Sequence, residues 1–354
     1  MDFSIAAILL QDGITSGAIY ALLALALVLV FSVTRVILIP QGEFVSYGAL
    51  TLAALQTQKL PGTCWLLVVL GVACLLAESV RVLRHASERR DAWRTLPVLA
   101  GRYVLMPLAL LALTQSLVLH EGAAMPLVLQ VALTLAIVTP MGPMVYRLAF
   151  EPLAEASTLL LLIVSVGVHF ALVGTGLLMF GAEGSRTTPF SDAAWTVGGL
   201  NVSGQSVWVI GSAAVLIGAL YVFFDRTLSG KALRATAVNR LGARLVGIGT
   251  GQAGRLAFTL AAALGVWCGV LVAPLTTIYY DSGFLMGLKG FVGAIIGGLG
   301  SYPVAAAGAV LVGLLESYSS FWASAYKEVI VFTLIIPVLL WRSLASPALD
   351  EGEA

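Results

Sequence analysis

The chain has 354 residues, 59% of them hydrophobic and 10% charged, with a net charge of +1 and a mean hydropathy of +0.99. A soluble domain carries about 25% charged residues, so this sequence cannot clothe a globular surface in polar groups, and its solvent is largely lipid. The near-zero net charge gives no footing for a nucleic-acid partner, and none is expected.

Apolar runs of ~20 residues read as spanning helices, and runs without strict alternation exclude a barrel. In chain order the spans fall near 8–34, 41–57, 61–79, 103–120, 125–146, 157–180, 206–224, 256–280, 286–299, 303–318 and 325–342. The first is preceded by no basic n-region and followed by no small-residue cleavage pattern, so it is expected to remain as a membrane segment. The 41–57 and 286–299 runs are short and rich in small residues, which suits re-entrant or tilted segments wrapped by protein. The reading is an all-α integral membrane protein: a polytopic helical bundle of about 9–11 segments, some short or re-entrant, forming one transmembrane domain over 1–354. Residues 181–205 form the longest polar stretch on the side away from the basic loops.

Charge sets the orientation. Six arginines lie between Glu78 and Arg102, and six basic residues lie between Asp225 and Arg255 against one acid. Placing both loops in the cytoplasm, with eleven crossings, brings Arg35, Arg147 and Arg342 to the same side and puts fifteen of nineteen basic residues inside. Lys59, Arg186, Lys289 and Lys327 fall toward the other face, the N-terminus outside and the C-terminus inside.

Enzymatic signatures are missing. None of the four lysines is followed by Ser or Thr, so there is no Walker A motif. Neither G-x-S-x-G nor H-E-x-x-H occurs. Cys64, Cys74 and Cys268 lie in apolar runs with no CxxC or His/Cys cluster, which reads as small buried residues rather than a disulfide or zinc framework. No cofactor and no metal are expected. His169 stands alone in "LLLLIVSVGVHFALVG" with no obvious ionisable partner and reads as a neutral packed histidine.

Three stretches carry the functional reading. In "ILIPQGEFVSYGAL", Glu43 follows Gln41 and Gly42 and precedes Phe44. A carboxylate there costs a few kcal/mol if it faces lipid, so it faces a water-filled path or a subunit seam, or else sits at the interface near Arg35. Glu316 reads as an ordinary carboxylate near a span end. In "GFVGAIIGGLGSYPVAAAGAVLVG", Gly293 and Gly297 have a spacing that lets helix backbones approach. With Gly298, Gly300 and Ser301 they serve either tight packing or a path lining. In the basic loop, Val238, Leu241, Leu245 and Ile248 recur on one helical face, with Arg234, Arg240 and Arg244 elsewhere. Such a helix lies on lipid or docks in a groove on a partner.

Resemblance decides between these. The 225–255 loop resembles the coupling region of ABC importer permeases, with small Ala235 and Ala237 ahead of Gly242. More specifically, "SGKALRATAVNRLGARLVGI" is similar to the loop of branched-chain amino acid permeases of the H-type subunit. "DGITSGAIYALLALALVLVFSVTRVI" resembles that family's first helix through Gly13, Gly17, Tyr20, Ala21 and Leu22. "PQGEF" resembles its N-F-A-[HQ]-G-E turn, and "GLKGFVGAIIGGLGSYPVAAAGAVLVGLLE" its late glycine segment. The likeness covers roughly 1–60 and 140–342. Residues 80–125 look like an insertion, and Leu38, Ile39 and Pro40 replace the family's Asn, Phe and Ala.

The resemblance implies an inner-membrane permease subunit moving branched-chain amino acids or related small polar solutes by alternating access. It also implies a second homologous permease, two ABC ATPases that use the ATP, an external binding protein and surrounding lipid. Gln41, Gly42, Glu43, Phe44, Gly293, Gly297, Gly298, Gly300 and Ser301 would then line the path or a subunit seam. Arg234, Ala235, Ala237, Val238, Leu241, Gly242, Leu245, Gly247 and Ile248 would couple to the ATPase. The rivals are a proton-coupled transporter using Glu43, Glu316 or His169, and an intramembrane enzyme.

The orientation is testable by labelling in a background free of native cysteine. Cysteines placed at Arg90 and Arg240 are expected to resist an impermeant thiol reagent in intact cells, and one at Ser191 to react. Strong external labelling at position 240 would overturn both the orientation and the coupling role.

Overall fold

The computed structural model describes residues 3–85, 97–119, 125–197 and 200–345. The arginine-rich stretch 86–96, part of the presumed insertion, and the chain after Ala345 lie outside the described residues. Nine helices among the described residues are long and apolar enough to cross a membrane. Two shorter ones, α2 and α12, sit where the sequence predicts short segments. The protein is a polytopic helical bundle.

Helix α1 (Phe3–Thr34) runs through its middle. From Ala18 to Val30 it is buried on every side, which is why its sequence is apolar all round rather than striped. After α1 come α2 (Gln41–Gln56), α3 (Gly62–His85) and the span Pro97–Leu119, whose regular part is α4 (Met106–Leu119). Next are α5 (Leu127–Val138), the single turn α6 (Met141–Val145) and α7 (Thr158–Phe180). A small antiparallel hairpin, β1 (Ala194–Val197) with β2 (Leu200–Ser203), stands in the polar stretch before α8 (Gly204–Arg226). An isolated bridge, Ser185 to Ile278, ties that stretch to the loop after α11.

The basic loop holds two helices, α9 (Leu228–Val238) and α10 (Arg240–Leu245), not the single one that the periodicity suggests. The break is at Asn239, whose backbone is extended and whose side chain accepts from Gly242 N at 2.7 Å. An asparagine that caps the next helix competes with continuing the previous one. The chain then forms α11 (Thr250–Val272), α12 (Ser282–Ile296), α13 (Tyr302–Trp322), α14 (Lys327–Thr333) and α15 (Ile335–Ala345).

Small residues set how closely these helices approach. A Cβ on Gly13 would stand 2.8 Å from Leu314 Cα, and one on Gly17 2.8 Å from Val310 Cα. From the other side, Gly313 of α13 abuts Gly13 and Gly17. The α12–α13 pair repeats the device, with Gly293 against Ala309 and Gly297 against Ala305. In lipid, where apolar side chains gain nothing by leaving an equally apolar solvent, such backbone approach is a main source of association.

This gives a paired prediction. Gly17→Leu forces a side chain into the backbone of α13 and should cost about 3 kcal/mol, read as a lower melting temperature in detergent. Gly167→Leu, at a position with nothing within 4 Å, should melt like the parent protein. Equal melting of both variants would remove the seam from the account.

Candidate functional site

Helix α2 does not start at a membrane surface. Residues 35–40 leave α1 without helical structure, and Arg35 adopts a φ of +61°. Counted along α7, Ile39 meets Ser165 and Glu43 meets His169, both near the middle of that helix. The start of α2 therefore lies deep in the bundle, where each exposed backbone group would cost several kcal/mol in hydrocarbon.

Side chains satisfy the break. Ser165 Oγ donates to Ile37 O at 2.7 Å and accepts from Ile39 N at 2.9 Å. Thr34 Oγ1 accepts from Val36 N at 3.3 Å. Gln41 Nε2 donates to Ala261 O in α11 at 2.9 Å. Bare backbone fits tightly around these groups: Gly42 touches Gly283, and Gly283 N donates to Ser46 Oγ at 2.8 Å. Nearly all of α2 is buried, including Gln41, Gly42, Glu43 and Phe44. Protein rather than lipid surrounds a helix too short to span.

Glu43 is 1% exposed, and one of its oxygens lies 2.7 Å from His169 Nδ1. This corrects the expectation for His169 and excludes one of the two alternatives for Glu43. His169 has an ionisable partner, and Glu43 is no interfacial carboxylate near Arg35, which is itself exposed against Phe31. The pair escapes a linear reading because its partners are 126 residues apart. A local signal exists all the same: Ser165 and His169 are four residues apart on one helical face, and that face is the buried one, with Leu161, Leu172 and Gly176. The His169 ring packs 4.4 Å from that of Phe284. Two acceptors at this turn, Glu43 Oε2 and Gln41 Oε1, are buried without a hydrogen-bond partner.

A second buried ionic group lies between α1, α12, α13 and α14. Lys289 Nζ is 2.5 Å from Glu316 Oε1 and 3.0 Å from Glu328 Oε1, and Tyr20 OH donates to Glu316 Oε2 at 2.6 Å. Lys289 is 5% exposed. Here too the structure corrects the sequence: Glu316 is not an ordinary span-end carboxylate, because it is held by Lys289 and Tyr20. Helix packing desolvates Lys289 and Glu316, and each then needs the other.

The remaining predicted residues divide. Gly293 and Gly297 lie in the α12–α13 contact, whereas Gly298, Gly300 and Ser301 form the turn between those helices. Gly298 there has a φ of +65°, the left-handed backbone that glycine adopts freely. This turn is at the opposite end of α12 from Gly283, so it does not join Gln41–Phe44. In the basic loop, Val238 is 86%, Leu241 68% and Leu245 81% exposed. Arg234, Ala235 and Gly247 are also exposed, while Ala237, Gly242 and Ile248 are half-buried. Leu228 and Val246, which the stripe does not include, add to this apolar surface. On its inner side, Arg240 donates to Ala154 O at 2.9 Å and Arg244 pairs with Glu155 at 2.9 Å.

Residues 97–339 match the family described as branched-chain amino acid transport system / permease component. The chain belongs to this family. The match begins inside the 80–125 stretch that reads as an insertion. The permease is 30% identical over 215 residues to the high-affinity branched-chain amino acid transport system permease protein LivH of Escherichia coli (strain K12), covering 58% of this chain and 69% of that one. It is 31% identical over 208 residues to LivH of Salmonella typhimurium, covering 56% and 67%. With BraD of Pseudomonas aeruginosa it shares 28% over 218 residues, covering 60% and 71%. No solved structure matches the permease.

The buried pair is open to a mutant cycle. Glu43→Leu strands His169, and His169→Leu strands a carboxylate. Each should destabilise the permease by about 3–5 kcal/mol, while the double variant, which leaves no unpaired charge, should recover most of that. Additive losses in thermal unfolding would show that the two side chains do not interact.

Proposed function

We propose that this permease is one half of the membrane channel of an ABC importer in a bacterial inner membrane, carrying branched-chain amino acids or related small polar solutes. It contributes a path and no catalysis. A second homologous permease completes the path, two ATPase subunits consume the ATP, and an external binding protein delivers the solute. Binding of ATP closes the ATPases, moves α9 and α10, and repacks the helices around the path in alternating access. Gln41, Gly42, Glu43 and Phe44 stand beside that path. Gly293 and Gly297 hold α12 to α13, and the Gly298–Ser301 turn faces the cytoplasm.

The observation that supports this reading best is the exposed apolar set Leu228, Val238, Leu241, Leu245 and Val246. It lies between the spans Gly204–Arg226 and Thr250–Val272, outside the lipid-crossing helices. Apolar side chains left in the open on short helices fit a groove in a partner. The small Ala235 and Ala237 permit close approach, and membership of a transport-system permease family supports an ATPase as that partner.

Losing a buried leucine anchor costs about 2 kcal/mol or more, which is over tenfold in affinity. Leu241→Asp should therefore release the ATPase on co-purification, or uncouple ATP hydrolysis from uptake, while the permease still inserts. Arg244→Ala should do less, because its ion pair with Glu155 is largely exposed. In proteoliposomes holding all subunits, leucine uptake should need ATP and survive collapse of the proton gradient. A Leu241→Asp permease that keeps both its ATPase and full uptake would make α9 and α10 lipid-surface helices.

A further inference from the structure

At the end of the bundle that carries the basic loop, a pocket of about 220 Å³ lies where the span Leu127–Leu153 meets α11. Met106, Pro140, Pro143 and Met144 give it apolar walls, and Arg255 and Thr139 are among its polar members. Met106 is 43% exposed, so the pocket opens toward lipid. Arg255 is half-buried, and its side chain makes no ion pair or hydrogen bond among the described residues. Thr139 Oγ1 is buried and has no partner either. One pocket is thus lined by an unpaired guanidinium and an unpaired hydroxyl, both donors, and the group that answers both is an oxyanion.

The neighbouring charges favour an anion over a zwitterion. Arg147 is already held by Glu78 and Glu151, and Arg244 by Glu155. The Tyr146 hydroxyl abuts Gly254, the residue before Arg255, and Tyr146 also lines a pocket with Arg240. Arg240 bonds only the carbonyl of Ala154 and faces no carboxylate among the described residues. A head group with its own ammonium would add a cation beside two that are unpaired. One turn further along both helices is a second groove, of about 540 Å³ and apolar in every lining residue. Leu135 precedes Thr139 by one turn, and Ala263 follows Thr259, another residue of the first pocket, by one turn. The third wall comes from Leu216, Leu220 and Phe223 of α8, a helix buried along little of its length, so this groove too is open to lipid.

We propose that this crevice binds an anionic phospholipid, its phosphate on Arg255 and Thr139 and an acyl chain along Leu135, Leu220 and Ala263. Arg255 stands five residues inside α11, about 7.5 Å from its start, a depth from which a long side chain reaches the head-group level. A free phosphate would answer the arginine and leave the apolar groove unfilled. A helix of a partner would fill the groove and leave the arginine unpaired unless it placed a carboxylate at that one depth. A phospholipid carries both parts in one molecule, charge at the interface and hydrocarbon toward the middle of the bilayer. The site does not depend on which solute the permease carries.

The test melts the full-length permease, purified in detergent and stripped of lipid, with dioleoyl phosphatidylglycerol, dioleoyl phosphatidylcholine or inorganic phosphate. Phosphatidylglycerol should raise the melting temperature by about 4 °C, the shift a ligand gives at roughly a hundred times its Kd. The other two should give less than half of that. Arg255→Gln should lose most of the phosphatidylglycerol shift, and Arg226→Gln, at an exposed arginine paired with Asp225, should keep it. Ala263→Phe narrows the tail groove, leaves the arginine in place, and should also lose most of it. No shift in the parent, an equal shift with phosphatidylcholine, a full shift with inorganic phosphate or a full shift in Arg255→Gln would each overturn the proposal. Should Arg255→Gln not fold, Ala263→Phe decides, and an undiminished shift there overturns it.

Discussion

Hydrocarbon supplies no hydrogen bonds, and the structure is organised around that constraint at one point, the non-helical stretch 35–40. Where α1 ends and α2 begins, main-chain groups are free of helical partners deep in the bundle. Ser165 answers two of them, one as donor and one as acceptor. Thr34 answers a third, and Gln41 anchors the first turn of α2 to α11. Each needs its helix within hydrogen-bond reach, which explains why glycines collect there. Gly42 meets Gly283, Gly265 faces Gln41 and Phe44, and Gly269 meets the backbone of Val45. A side chain at any of them would push a neighbouring helix out of reach and leave buried polar groups unpaired, at about 1–3 kcal/mol each. Small residues and the polar stitches are therefore one device.

The two buried ionic groups follow from the same arrangement and differ in character. Glu43 and His169 form an isolated pair on two helices, with an oxygen to spare. Lys289 is shared by two carboxylates and braced by Tyr20, across four helices. The second group joins the family-like start of α1, which contains Tyr20, to the family-like late segment, which contains Lys289. The two segments that resemble the family's thus meet in this bundle. Removing one member of such a group strands the others, so its residues constrain one another more than any of them stabilises the fold alone.

How much could be read from the sequence depended on the range of the interaction. Spanning helices came from length and hydropathy, local quantities, and even the short α2 and α12 stood out. The Gly293–Gly297 spacing is likewise local, and the helix it contacts is the next in the chain. What could not be read was pairing at a distance. Glu43 and His169, or Tyr20 and Glu316, look solitary until the bundle folds, because hydropathy says that a charge in a span needs a partner but not which one. The single helix expected in the basic loop failed for a subtler reason. Its apolar period continues through Asn239, but the period reports only which residues share a face, and the asparagine's capping chemistry decides where the backbone turns.

The same geometry links the short helices α9 and α10 to the middle of the bundle. Arg240, the first residue of α10, donates to Ala154 O, and Arg244 holds Glu155. Two residues further on, Ser157 caps α7 by accepting from Leu160 N. From there α7 is one unbroken helix to Phe180, and it carries Ser165 and His169. An α-helix resists compression along its axis because every turn is hydrogen-bonded to the next. A displacement of α10 thus acts on the start of α7, and about two to three turns along that helix are the two side chains that hold 35–40 and Glu43. The exposed leucines of α10 and the buried acceptors at the break lie at the two ends of this connection. They are joined by one short loop and one continuous helix, and in the proposed importer a partner that grips Leu241 and Leu245 acts on α2 along that route.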